Sequence, residues 1–373
     1  MKLPLDFGLK LFFRLLLPGF FLTLGLLPAL FAILDVAGLK GQREAAFVIA
    51  IIIAGWLFVA ADMPVYMLLE GRRFWPAGLL RWGTKREQER LDGALQKIAN
   101  YYAKGQNASD EDRRQWLEAS VEARKFPVNA NGEWCAEYST RLGNTITAFE
   151  KYSRTRYGID SIFYWPRIWI NLGKDLREEV DSQQAMADSA VYSTVALGAA
   201  GLLWIGYALA NVMQDAARPV LLEGGVLRKP LPDGIFAYVP GLPACLFVGA
   251  IFLLFARRVY HLSVYLNDQF GGVFTAIIDS HASKLATDYV PIEKIVDRVS
   301  KVTGVQVPDG EKMEVAGRYL QYFTARLPGR PRAVPIPQVA DVLAGVEPRY
   351  TCKTTQQSGP SAPPAPRPHL PKS

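Results

Sequence analysis

The stretches LFFRLLLPGFFLTLGLLPALFAIL at 11–34 and FVIAIIIAGWLFVAADMPVYMLL at 47–69 decide the fold. Each is about the ~20 residues an α-helix needs to cross a ~30 Å hydrocarbon core. Two further runs, 191–213 and 236–255, repeat the pattern. A core helix of a water-soluble protein keeps a polar face, and these runs do not. The fold class is therefore all-α: a polytopic membrane protein with four transmembrane helices and a helical cytoplasmic domain. The first run is too long for a signal peptide, lacks an A-x-A cleavage pattern and is interrupted by Arg14, so it reads as a retained helix.

The chain has 373 residues, 50% of them hydrophobic and 21% charged, because apolar spans alternate with charged segments. Its net charge of +7 fits basic membrane flanks. No basic patch with interleaved aromatics stands out beyond those flanks, so nucleic acid is not an expected partner. Cys135, Cys245 and Cys352 are far apart, which argues against a disulfide framework or a zinc site. His261, His281 and His369 are too dispersed to share a metal. No metal and no cofactor are expected. No P-loop, HExxH, GxSxG or GxGxxG context occurs, and no catalytic residue is assigned. Asp279 and His281, with Asp288 two turns on, come nearest to an acid/base set.

Charge sets the topology. Lys2, Lys10 and Arg14 flank the first span, and Arg72, Arg73, Arg81, Lys85, Arg86 and Arg90 follow the second. Lys174 and Arg177 precede the third, and Arg257 and Arg258 follow the fourth. The opposite loops hold fewer: Lys40 and Arg43, then Arg218, Arg228 and Lys229. The positive-inside rule places both termini and the segment between spans two and three in the cytoplasm of a cell (inner) membrane. The expected organisation is a first membrane hairpin at 1–70, a cytoplasmic helical domain at 71–188 and a second membrane hairpin at 189–258. Cytoplasmic helices follow at 259–328, with a Pro-rich disordered tail at 329–373.

Within the cytoplasmic part, 84–104 and 109–125 read as an αα-hairpin, with Ser109 as N-cap and Asp110, Glu111 and Asp112 in the first turn. Around it stand four motifs: EGRRFWP at 70–76, TRLGN at 140–144, RYGID at 156–160 and WPRIW at 165–169. On these motifs the chain resembles a group of uncharacterised bacterial multi-pass membrane proteins. The likeness implies this architecture and no particular reaction. Physically, 157–169 reads as an aromatic elbow, with Tyr157, Phe163, Tyr164, Trp165 and Trp169 suited to the membrane interface. Arg141, Arg156 and Asp160 are expected to hold it by ion pairs. Arg72, Arg73 and Trp75, with Arg156, Tyr157, Trp165, Arg167 and Trp169, form the candidate lipid or partner contacts. A packing motif and a membrane-exit linker are the readings that rank first for these segments, ahead of the contact site.

Glu178, Asp181 and Asp188 read as a solvated acidic face at the cytoplasmic mouth. Arg14 and Asp62 lie inside the apolar runs at comparable depth and are expected to pair, either as a staple of the first hairpin or as part of an ion path. The small residues Ala196, Gly198, Ala199, Ala200, Gly201 and Gly206 suit close helix contact, within the chain or in a homo-oligomer. The functional expectation is a membrane-anchored scaffold or regulator with the lipid bilayer and a cytoplasmic protein as partners. A subunit of an oligomeric channel or transporter is the alternative, and a lipid-acting enzyme ranks last.

Overall fold

The computed structural model describes residues 11–129, 132–157, 160–223, 238–284, 292–303, 306–308 and 312. The first ten residues, Gly158, Asp288, Arg228, Lys229, the helix expected over 309–327 apart from Lys312, and the tail with Cys352 and His369 lie outside them.

Among the described residues the named elements are all helices. A π-helical turn, Phe12–Leu16, leads into α1 (Leu17–Val36). Then come α2 (Arg43–Ala60), α3 (Asp62–Leu69), α4 (Ala77–Lys104) and α5 (Asp110–Ala123). They are followed by α6 (Arg141–Tyr157), α7 (Ser161–Asn171), α8 (Lys174–Glu223), α9 (Leu242–Lys284) and α10 (Ile292–Thr303). Four segments are long and apolar enough to cross a membrane: Phe12–Val36, Lys40–Ala60, Lys174–Met213 and Leu242–His281.

The spans pack in the order α2, α1, α8, α9. Small residues make each contact close. A Cβ on Gly19 would strike the backbone of Ile51 and Gly55, and one on Gly25 would strike Ala200. Gly201 and Gly249 face each other across α8 and α9. The small-residue face of the third span thus serves two seams within the chain, against α1 and against α9. The outward faces stay apolar: Ile53, Trp56, Leu57, Phe247 and Leu254 are all exposed, as lipid-facing side chains would be.

The second apolar run is two helices. The chain breaks at Ala61 (φ −97°, ψ 22°). Pro64 explains this, since it has no N–H to bond the carbonyl four residues back. The charged connector, residues 70–173, leaves the bundle after α3 and returns at α8. We call that end of the bundle the connector end, and the opposite one the loop end. In the connector, α4 and α5 pair as a hairpin around Leu91, Ala123, Phe126 and Ala136. The Ser109 Oγ accepts the Asp112 N–H at 3.2 Å while Asp112 Oδ2 accepts the Ser109 N–H at 3.0 Å, a capping box. α4 starts at Ala77, earlier than the expected residue 84, because Pro76 pre-sets the turn into it.

The aromatic elbow packs within the protein. Tyr164 and Ile168 of α7 are fully buried in a core with Val180 of α8, Phe274 and Ile278 of α9 and Val296 of α10. Phe163, Trp165, Trp169 and Tyr157 pack against that core, and Trp165 meets Phe274 at 4.7 Å between centroids. Ile162 and Ile170 face outward instead. α7 is amphipathic, and its aromatic side is the inner one. α9 runs unbroken through Gly271 and Gly272, where a kink was expected. Gly271 gives room to the Phe149 ring of α6.

Candidate functional site: a polar clasp at the connector end

Three elements bring polar side chains together where the spans meet the connector. The π turn carries Arg14; its Leu17 N–H bonds the Phe12 carbonyl, and Pro18 lacks the donor for a regular turn. The break at Ala61 places Asp62 in the first turn of α3, with Tyr66 one turn later. α8 carries Asp188 and Tyr192, again one turn apart.

The two helices share a pattern: DMPVY at 62–66 and DSAVY at 188–192, both D-x-x-V-Y. α3 runs toward the connector and α8 runs away from it, so the two stretches cross-bond. The Tyr66 hydroxyl donates to Asp188 Oδ1 at 2.5 Å, and the Tyr192 hydroxyl donates to Asp62 Oδ1 at 2.5 Å. Arg14 Nη2 lies 2.6 Å from Asp188 Oδ2. The two tyrosine rings meet edge to face, and Phe58 stacks on Tyr192. Val65 and Val191 are buried beside them with Leu142, Ile146 and Val264. The clasp therefore sits in an apolar shell, where an unpaired charge is costly.

This revises two expectations. Arg14 does pair, but its direct partner is Asp188; Asp62 lies within Coulombic reach and takes Tyr192. Asp188 is not on a solvated face: its side chain is 3% exposed. The reason is that α8 packs on α1 one turn before the third apolar run begins. Tyr66, Asp188 and Tyr192 were missed as site residues, and the repeated D-x-x-V-Y was the signal for them.

A second cluster joins the clasp to the connector. Arg72 Nε pairs with Glu70, while its Nη2 reaches Glu150 at 3.2 Å and Thr147 Oγ1 at 3.3 Å. Its guanidinium lies 4.7 Å over Tyr138. Burial pushes Glu70 up to about 7, with Glu150 adding to the rise and Arg72 opposing it. Burial raises Glu150 as well. The EGRRFWP and TRLGN motifs touch here, for Gly143 packs on the Glu70 carbonyl. Asn144, fully buried, accepts the Glu137 and Tyr138 N–H groups and donates to the Tyr138 and Thr140 carbonyls. Arg141 and Arg90 both bind Glu122, tying α4, α5 and α6 together. Burial alone would raise Glu122, but Arg90, Arg141 and Lys125 outweigh it and hold the carboxyl below its usual range.

The remaining expected contacts separate. Arg156 donates to the Tyr152 hydroxyl at 2.6 Å, and Tyr152 and Tyr157 donate to Asp279 of α9 at 2.9 and 2.8 Å. Asp279 is thus engaged by two phenols. Asp160 caps α7 by accepting the Phe163 N–H. Arg167 lies over the Phe163 ring, Trp75 Nε1 donates to the Leu68 carbonyl at 2.7 Å, and Arg73 is exposed. A cleft of about 550 Å3 opens between α6 and α9, lined by Arg124, Trp134, Lys151, Tyr152, Arg156 and Asp268 among others. Among the described residues no group of three or more His, Cys, Asp and Glu side chains is placed to hold a metal ion.

Comparison with protein-family models, curated proteins and solved structures returned no match.

Proposed function

We propose that the protein is a membrane-anchored scaffold or regulator that presents its connector, α4 to α7, in the cytoplasm of a bacterial inner membrane. The observation that carries this reading is the continuity of α8 and α9. Both leave the apolar zone without a break, and α6, α7 and α10 pack on their polar ends. A domain held this way is fixed to the bilayer rather than tethered to it. The clasp supports the same reading, because each of its carboxylates is bonded to a phenol of the opposite helix. The basic flank after α3 supports the cytoplasmic side. Leu117 and Val121, one turn apart and exposed on α5, offer an apolar strip for a protein partner.

The test has two parts. The full chain in liposomes is expected to pass no more ions or protons than empty liposomes. A photo-crosslinking residue at Leu117 or Val121, in cells, is expected to yield one discrete adduct that Arg141→Gln weakens. Flux that Asp62→Asn abolishes, without any adduct, would replace this reading with the oligomeric channel.

A further inference from the structure

The segment after the second span holds an unusual surface. Residues 71–86 carry Arg72, Arg73, Arg81, Lys85 and Arg86 and no acidic side chain. Gly71, at φ 73°, lies against Ser139, and Gly83 lies against the same serine. Both ends of 71–83 therefore meet one residue, and the stretch between them is held at the depth where α3 ends. The Trp75 bond to the Leu68 carbonyl pulls it back toward the span. Tyr260 marks the same level on the fourth span, because its hydroxyl accepts the Leu142 N–H of the adjoining TRLGN motif.

Arg72 and Trp75 are bonded to the protein, Arg72 to Glu70 and Glu150 and Trp75 to the Leu68 carbonyl, whereas the two other rings of this segment are open. Phe74 is 69% exposed and Trp82 59% exposed. Phe74 also adopts φ 68°, the left-handed region that L side chains avoid. Such strain persists where something beyond the local chain favours it. A ring this exposed gains little from packing inside the protein. Arg86 sits 5.5 Å over the Trp82 ring, and Lys85 pairs with Glu89 at 3.8 Å, both side chains exposed.

We propose that residues 73–86 form a bilayer clamp for anionic phospholipid. Phe74 and Trp82 enter the boundary between headgroups and acyl chains, while Arg73, Arg81, Lys85 and Arg86 bind the lipid phosphates. Three observations choose this occupant. The surface follows the second span directly in the chain, and Met63 near the end of that span is also exposed. Its charge is wholly positive. Its exposed aromatics and long basic stems are the side chains that settle at headgroup depth. The inference rests on the spans crossing a bilayer and is independent of the scaffold reading.

The experiment compares the full chain in nanodiscs of phosphatidylcholine with and without phosphatidylglycerol, reading lipid retention by native mass spectrometry and the melting temperature. Wild type is expected to retain phosphatidylglycerol selectively and to melt higher with it. Each Arg→Gln change at 73, 81 or 86 should weaken retention about fivefold, and the combined variant with Lys85→Gln should abolish it. Phe74→Gly relieves the backbone, so it should melt at or above wild type in neutral detergent yet lose part of the phosphatidylglycerol response. Inorganic phosphate should leave the melting temperature unchanged. The clamp is overturned by an unselective wild type, by full retention in the combined variant, by an equal response to free phosphate, or by a Phe74→Gly protein that melts lower in detergent while responding normally to lipid.

Discussion

Both ends of the span bundle are tied by arginine, aspartate and tyrosine, yet the two ties differ in what surrounds them. At the loop end Arg43 binds Asp35 and the Tyr238 hydroxyl, at 2.8 and 2.7 Å, and lies over the Phe31 and Tyr238 rings. Lys40 adds a second cation at 3.5 Å, and the Asp35 side chain is 20% exposed. At the connector end the Asp188 side chain is 3% exposed in an apolar shell, and among the described residues its one cation is Arg14, whose own side chain is 42% exposed; the two ties therefore differ at the carboxylate and not at the arginine. The same chemistry thus acts in two dielectric settings. In the wet one a lost partner is replaced by water. In the dry one a lost partner leaves a charge with nowhere to go.

The largest effect should come from breaking the dry tie. Arg14→Leu is expected to destabilise the protein by about 3 kcal/mol, while Arg43→Leu costs about 1 kcal/mol or less. Denaturant unfolding in detergent measures both, and equal losses would break the comparison. Adding Asp188→Asn to Arg14→Leu should restore part of the stability, because the orphaned charge goes with it.

Next come the cross-bonds. Tyr66→Phe and Tyr192→Phe each remove one donor to a carboxylate and should cost about 1.5–2 kcal/mol apiece. Their near equality would sharpen the two-fold reading of the D-x-x-V-Y pair; a loss at one site alone would discard it.

The Glu70 cluster has its own pH signature. Its folded carboxyl titrates at about 7 against an ordinary 4.5. Between those values the folded state holds a proton that the unfolded chain has released, so stability falls as pH rises through this window. Glu122 acts the opposite way, and its contribution disappears only on acidification below its usual range. Thermal melts from pH 4.5 to 7 should therefore decline for wild type and stay flatter for Glu70→Gln. Ser109→Ala should cost about 1 kcal/mol, confined to the hairpin and seen as faster hydrogen exchange in α4 and α5 with the clasp unaffected.

Length and apolarity made the four spans legible, and the Ser109 cap with its acidic first turn made the hairpin legible. These signals are local. The clasp was hidden because it depends on which helix packs against α1. The charges of 11–34 and 47–69 invited a pairing of Arg14 with Asp62, and nothing in those runs announced that α8 would bring Asp188 closer. The aromatic elbow left two readings open for a related reason: tryptophan and tyrosine suit both a bilayer surface and a protein core, and α10 and the end of α9 cover that side of α7.

The unbroken course of α9 has a mechanical consequence. From Arg258 to Lys284 it projects about 40 Å past the apolar zone, at 1.5 Å per residue. Helix tilt follows bilayer thickness, and a change of about 5° would carry the far tip through about 3.5 Å. Phe270, Phe274 and Asp279 ride on that arm against Phe149, Trp165, Tyr152 and Tyr157. The shape is that of a lever: a displacement of the arm, whatever tilts it, arrives at the connector at an aromatic joint.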